Sequence, residues 1–121
     1  MPPKQLEASV RKPPGAVVID LEGEINSFGE AALDAAYAQA TQDHSPVILL
    51  NFREVDYINS TGIALIVSLM ARARKEGRRL RATGLSDHYI EIFKITRLAD
   101  FMPIFADEAS ALSAAPAPAA Q

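Results

Sequence analysis

Residues 47–52, VILLNF, put five apolar side chains into six consecutive positions. Successive strand residues point to opposite faces, so a strand with one wet face alternates apolar and polar. An unbroken run needs cover on both faces, which is the environment of a parallel or mixed sheet packed beneath helices. AVVIDLEG at 16–23 has the same β-branched character. Between the two runs lies FGEAALDAAYAQATQDH, where Phe28, Ala32, Ala35 or Ala36, and Gln39 recur at helical spacing and alanine content favours helix. Pro46 stops that helix near His44 and Ser45.

The remaining segments extend this plan. QLEASV (5–10) reads as a short edge strand and RKPPG as a turn. REVDYIN (53–59) reads as a loop after VILLNF. Residues 61–76 form a second helix, closed by Gly77 after Arg72, Arg74 and Lys75, which suit the negative end of its dipole. RRLRATG (78–84) is a fourth strand, with Leu80 and Ala82 on one face and Arg79 and Arg81 on the other. Ser86 caps a short third helix, SDHYIEIFKITRL. FMPIF adds an edge strand and ADEASALS a last helical turn or two. The order β-β-α-β-α-β-α predicts an α/β layer fold. At 121 residues one domain is expected, over 5–113, with a flexible start at 1–4 and a disordered Ala/Pro tail at 114–121.

Composition narrows the function. A net charge of −3 carries no footprint of nucleic acid or anionic membrane. There is no cysteine, hence no disulfide, thiolate nucleophile or zinc–thiolate site. No apolar run approaches the roughly 18 residues of a membrane span and no signal peptide is visible, so the expected address is cytoplasmic, without membrane insertion. The glycine patterns of nucleotide-binding loops are missing. With only His44 and His88, neither placed by sequence near a nucleophile, no catalytic residues, metal or cofactor are expected. The basic group Arg72, Arg74, Lys75, Arg78, Arg79 and Arg81 reads as solvated surface. Tyr57, Tyr89, Phe93, Phe101 and Phe105 read as core, and Asp87, Glu91 and Lys94 as the polar face of the third helix. Phe28 is left open between core and interface.

YINSTGIALIV (57–67) is the stretch with chemical interest. At about 100° per residue, Ile63, Ile66, Val67 and Met70 form a core stripe with Leu69 on its shoulder. Thr61, Ala64, Ser68, Arg72 and Lys75 share the opposite side. Ser60 stands in the first turn, where backbone N–H groups lack partners. It either caps the helix or, if Asn59 does so, carries a spare hydroxyl beside a flat, small-residue face. A phosphate there, of about −1.5 to −2 charges, would sit at the positive end of a helix, where it is tolerated. Such a group would change what docks on the face rather than unfold it.

The strand ending LEGEIN (21–26), the segment LLNFREVDYINSTGIALIV and the following GRRLRATGLSDHYIEIFKITRLADFMPIF together resemble the STAS domain family. Within it they resemble specifically the small bacterial anti-sigma-factor antagonists. That resemblance implies a STAS-like α/β fold with a mixed four- to five-stranded sheet and three to four helices mainly on one face. It also implies a non-enzymatic switch, a monomer or weak dimer. The unphosphorylated protein binds an anti-sigma factor with GHKL-type serine kinase activity; phosphorylation ends the binding and a PP2C-type phosphatase restores it. The acceptor maps onto Ser60, less well onto Thr61, and the partner-binding face onto Asn26, Phe28, Asn59, Ser60, Thr61, Gly62, Ala64 and Ser68. Asn26 and Asn59 stand where the family pattern carries aspartates. Asparagine keeps the capping geometry and removes the charge. The alternative within the family is an accessory or scaffold subunit of a transport system or signalling complex.

Overall fold

A computed structural model describes residues 5–42 and 44–114. The expected flexible start and nearly all of the Ala/Pro tail lie outside the described residues. A single sheet holds five strands, β1 (Glu7–Arg11), β2 (Val17–Ile25), β3 (Val47–Ile58), β4 (Arg79–Thr83) and β5 (Ile104–Phe105), in sequential order. β1 runs antiparallel to β2 and every other pair is parallel. The crossovers carry α1 (Glu30–Ala40), α2 (Ser60–Lys75) and α3 (Asp87–Ile95), and α4 (Glu108–Ser113) follows β5.

Alternation along the two central strands explains why the VILLNF run needs cover on both sides. Ile48, Leu50 and Phe52 join Val17, Ile19 and Leu21 in the main core, under side chains of α1, α2 and α3. Val18 and Leu49 point the other way and are buried with Ala111 of α4. The helices thus sit mainly on one face, as the mixed-sheet expectation held, with α4 covering part of the other. No helix among the described residues is long and apolar enough to cross a membrane.

Several local expectations are corrected. REVDYI is not a loop: β3 continues to Ile58, paired with β2 through Glu22–Glu54 and Ile25–Ile58 across two register shifts. Its charged side chains are exposed, so hydrophobicity shows nothing while backbone pairing continues. α1 is shorter than expected; a 3₁₀ turn at Ser27–Gly29 precedes it. It ends at Ala40, beyond which the bonding tightens to Gln42 N–H on the Gln39 carbonyl and His44 N–H on the Thr41 carbonyl, and His44 turns left-handed (φ 57°). Its buried stripe is Leu33, Ala36, Tyr37 and Ala40, so Phe28 and Gln39 are outside it. In α2 the buried face is Gly62, Ile66, Leu69, Met70 and Ala73. Val67 is exposed, because the stripe is centred nearer Leu69 than the wheel placed it. Tyr89 and Phe93 are core, but Tyr57 and Phe101 are exposed, Phe101 lying under the Arg74 guanidinium at 5.5 Å. Arg81 is no surface cation: α4 covers it.

Two arginines hold α4 to the sheet. Arg81 donates to the Ala111 and Ala114 carbonyls at 2.6 and 3.3 Å, at the helix end where carbonyls lack partners. Arg11 bridges Asp20 on β2 and Glu108 at the helix start, at 2.9 and 2.6 Å through Nη2. Hydrogen bonding to Arg11 lowers the carboxyl pKa of Asp20, aided by Asn51, and that of Glu108. Asp107 is lowered by its bonds from Ser110, whose N–H it caps. Carboxylates depressed in the folded state add stability above their unfolded pKa and lose it as pH falls. Amide protection in α4 should therefore decline as pH drops below about 4, while β2–β3 amides persist. Hydrogen exchange across that range checks it, and simultaneous loss in both regions would contradict it.

Candidate functional site

Parallel β2 and β3 end side by side, Ile25 opposite Ile58, and the switch candidates grow from those two ends. Asn26 accepts a hydrogen bond from Phe28 N–H at 3.0 Å and so shapes the 3₁₀ turn. Asn59 N–H bonds the Ile25 carbonyl at 3.2 Å. The Asn59 side chain accepts from Gly62 N–H at 2.8 Å, making Asn59 the N-cap of α2. Both asparagines act as turn formers through the oxygen they share with aspartate.

Because Asn59 caps, Ser60 is released from that role. It opens α2, is exposed, and its hydroxyl has no hydrogen-bond partner among the described residues. Thr61 beside it is also exposed. Ala64 and Ser68 continue the exposed side of the helix, and Val67 adds an apolar edge. Phe28 is 81% exposed in the turn packed against α2, which resolves it as surface rather than core. Tyr57, 52% exposed at the end of β3, joins the same end of the sheet and was missed because it reads as core by composition. Lower on α2, Arg72 pairs with Asp34 at 2.9 Å and lies over the Tyr37 ring at 4.5 Å.

Gly62 is the expected face residue that does not belong to the surface. It is buried against the end of β2, where an added Cβ would strike the Ile25 carbonyl and crowd Ile58. Its part is to let α2 seat on the strand.

The structure adds Tyr89, which the sequence presents only as a core aromatic. Its hydroxyl accepts from Ile58 N–H at 2.8 Å and lies 3.3 Å from the Ile58 carbonyl as donor. A strand end and an aromatic 31 residues further along the chain share no sequence signal.

Neither histidine is bonded to Ser60; His88 is exposed in the first turn of α3, edge-on to Tyr89. Among the described residues no group of three or more acidic or histidine side chains is placed to hold a metal ion. A groove of about 660 Å³ opens on the far face of the sheet, lined by Arg11, Asp20, Glu22, Asn51, Arg53 and Thr83 among others, and none of its lining comes from α2. Ser60 is therefore an exposed hydroxyl with no histidine bonded to it among the described residues.

A mixed five-stranded sheet presenting a capped helix start at its rim defines an α/β layer domain. The family model described as "Mlab, STAS domain" matches residues 8–105. The chain belongs to the STAS domain family. It is 28% identical over 86 residues to an anti-sigma-B factor antagonist of Staphylococcus aureus, covering 71% of this chain and 80% of that one. Among solved structures, an anti-sigma factor antagonist from Mycobacterium paratuberculosis superposes with a TM-score of 0.76 at 19% identity, over 90% of this chain and 92% of the other. SpoIIAA, a Bacillus anti-sigma factor antagonist solved in unphosphorylated and phosphorylated forms, gives TM-scores of 0.68 and 0.65 at 22% identity. It covers 86% of this chain and, in the two forms, 91% and 95% of its own.

Proposed function

We propose that the chain is a non-enzymatic phospho-switch. In this reading the unphosphorylated α2 face binds an anti-sigma factor with GHKL-type serine kinase activity. Phosphorylation of Ser60, with Thr61 the lesser acceptor, ends that binding, and a PP2C-type phosphatase restores it. Transcription is then controlled indirectly. The observation that carries the reading is the division of labour at the helix start. Asn59 fills the cap, which leaves the Ser60 hydroxyl exposed and unbonded.

The physics of the modified state agrees. A phosphate on Ser60 lies at the positive end of a sixteen-residue helix, so the domain tolerates it. The same group brings charge and bulk to a face built from Ala64, Ser68 and the apolar Phe28 and Val67. Charge introduced into a close apolar contact is costly unless paired.

The test is incubation with candidate anti-sigma kinases and ATP, phosphopeptide mapping, and binding measured for wild type, Ser60→Ala and Ser60→Asp. Ser60→Ala should abolish phosphate incorporation and keep binding. Ser60→Asp should weaken binding at least about tenfold, equivalent to 1.4 kcal/mol. Equal affinity for wild type and Ser60→Asp sinks charge gating. That outcome, combined with loss of binding in Phe28→Ala, favours the second reading, a STAS accessory or scaffold subunit whose docking is not gated by phosphorylation. The exposure of Phe28 and Tyr57 supports that reading, since an apolar anchor needs no switch.

A further inference from the structure

β4 pairs with β3 only as far as Asn51 and Thr83. Gly84 then turns away with φ +79°, so close to β3 that a Cβ there would meet the Arg53 backbone. From 52 to 58, β3 therefore has β2 on one side and, among the described residues, no strand on the other. At Ile58, 3% exposed and the last residue before the cap, the edge that β4 has abandoned must still satisfy a buried N–H and carbonyl. One atom does so: the Tyr89 hydroxyl, accepting at 2.8 Å and donating at 3.3 Å. The turn that begins one residue later is thus held from two sides. Ile25 receives Asn59 N–H on the β2 side, and Tyr89 holds Ile58 on the other.

Tyr89 is itself placed by the start of α3. Its N–H lies 3.5 Å from the Ser86 hydroxyl that caps the helix, and exposed His88 rests edge-on against its ring at 4.9 Å. The ring is buried among the core side chains, so the hydroxyl has little freedom to move independently of α3.

We propose that Tyr89 is a positioning residue for Ser60, its hydroxyl replacing the missing strand at Ile58 and coupling the first turn of α3 to the start of α2. The proposal deepens the phospho-switch reading and rests on it for biological meaning: Ser86, Asp87 and His88, all exposed, become a second surface through which a bound partner would bias how Ser60 is presented. Reciprocally, a change at Ser60 reaches α3 through the same hydroxyl.

The test needs no kinase. Phosphoserine is incorporated at position 60 during synthesis of the full chain, and backbone amide resonances and hydrogen exchange are recorded with Tyr89 and with Tyr89→Phe, which removes only the hydroxyl. In the wild-type background, phosphoserine should shift the amides of 86–89, and Tyr89→Phe should reduce that shift at least about twofold. Without phosphate, Tyr89→Phe should accelerate exchange at Ile58 and also at Asn59 and Gly62, about tenfold, while Ile19 and Leu50 keep their protection. A hydroxyl that serves only to satisfy the backbone would accelerate Ile58 alone, or all amides together, and either pattern overturns the proposal. Absence of any phosphoserine-induced shift at 86–89 in the wild-type background overturns it too, even should the variant fold poorly. Because the phosphate is installed by synthesis, these results stand apart from the Ser60→Asp binding assay, whose failure would remove the switch and leave the coupling in place.

Discussion

Gly62→Ala should destabilise the domain by about 3 kcal/mol, a fall of roughly 10 °C in its unfolding midpoint. The sign is the informative part. In the interior of a helix, exchange of glycine for alanine ordinarily gains about 1 kcal/mol, because glycine loses more backbone freedom on folding. Here the new methyl group points at the Ile25 carbonyl and the Ile58 side chain. The Ile25 carbonyl is backbone at a buried strand end, already engaged with Asn59 N–H, and it has nowhere to retreat. α2 must lift from β2, which also breaks the Asn59–Gly62 cap that frees the Ser60 hydroxyl. Thermal denaturation checks the magnitude, with Thr61→Ala on the exposed side as a control expected within about 0.5 kcal/mol of wild type. A stabilised Gly62→Ala would mean that α2 does not sit on β2 in solution.

Arg81→Met should cost about 2 kcal/mol and release α4 without disturbing the Ser60 turn. Methionine keeps most of the buried volume, so the loss isolates the polar function of the guanidinium. Arg81 is 5% exposed, and its Nη1 reaches the Ala111 and Ala114 carbonyls from the sheet below. A charged donor to the carbonyl end of a helix satisfies acceptors that have no partner inside it and opposes the dipole. Removing that donor leaves a buried carbonyl at Ala111 unpaired, and this penalty is the larger part of the cost. α4 has only six residues and little stability of its own, so it should detach and uncover Val18 and Leu49. Hydrogen exchange should show early loss of protection at Ala111, with the Gly62 amide unchanged. Protection of α4 equal to wild type would show that Arg11 alone holds the helix.

These two residues mark where the sequence was legible. The glycine stands in a recognisable pattern with Asn59, Ser60 and Thr61, and that pattern marks the start of α2, where the structure puts it. The reason for the glycine, a strand end packed behind it, lies thirty-seven residues earlier in the chain. Arg81 alternates with Leu80 and Ala82 as a surface residue of a one-sided strand would. Nothing local announces that a helix from the far end of the chain covers the second face. The misreading of REVDYI has the same origin. Strand pairing is a backbone property, and where Arg53, Glu54, Asp56 and Tyr57 are all exposed the hydrophobic period is lost while the hydrogen bonds remain. The register shifts between Asp20 and Glu22, and between Gly23 and Glu24, blur it further.

What the sequence determined by itself is what depends on near neighbours along the chain. The VILLNF run demanded cover on both faces, the strand–helix–strand order set parallel pairing, and the polar residues before IALIV announced a capped helix start. Those are statements about periodicity and propensity, and they need no knowledge of distant segments. Which polar residue caps, which hydroxyl is left over and what steadies the turn were decided only by tertiary structure. Asn59 is seated by the Ile25 carbonyl, Gly62 is obliged by the same strand end, and Ile58 is satisfied by the hydroxyl of Tyr89. Each of these contacts joins residues some thirty positions apart, and a directional contact of that kind leaves no repeating pattern in the residues that make it.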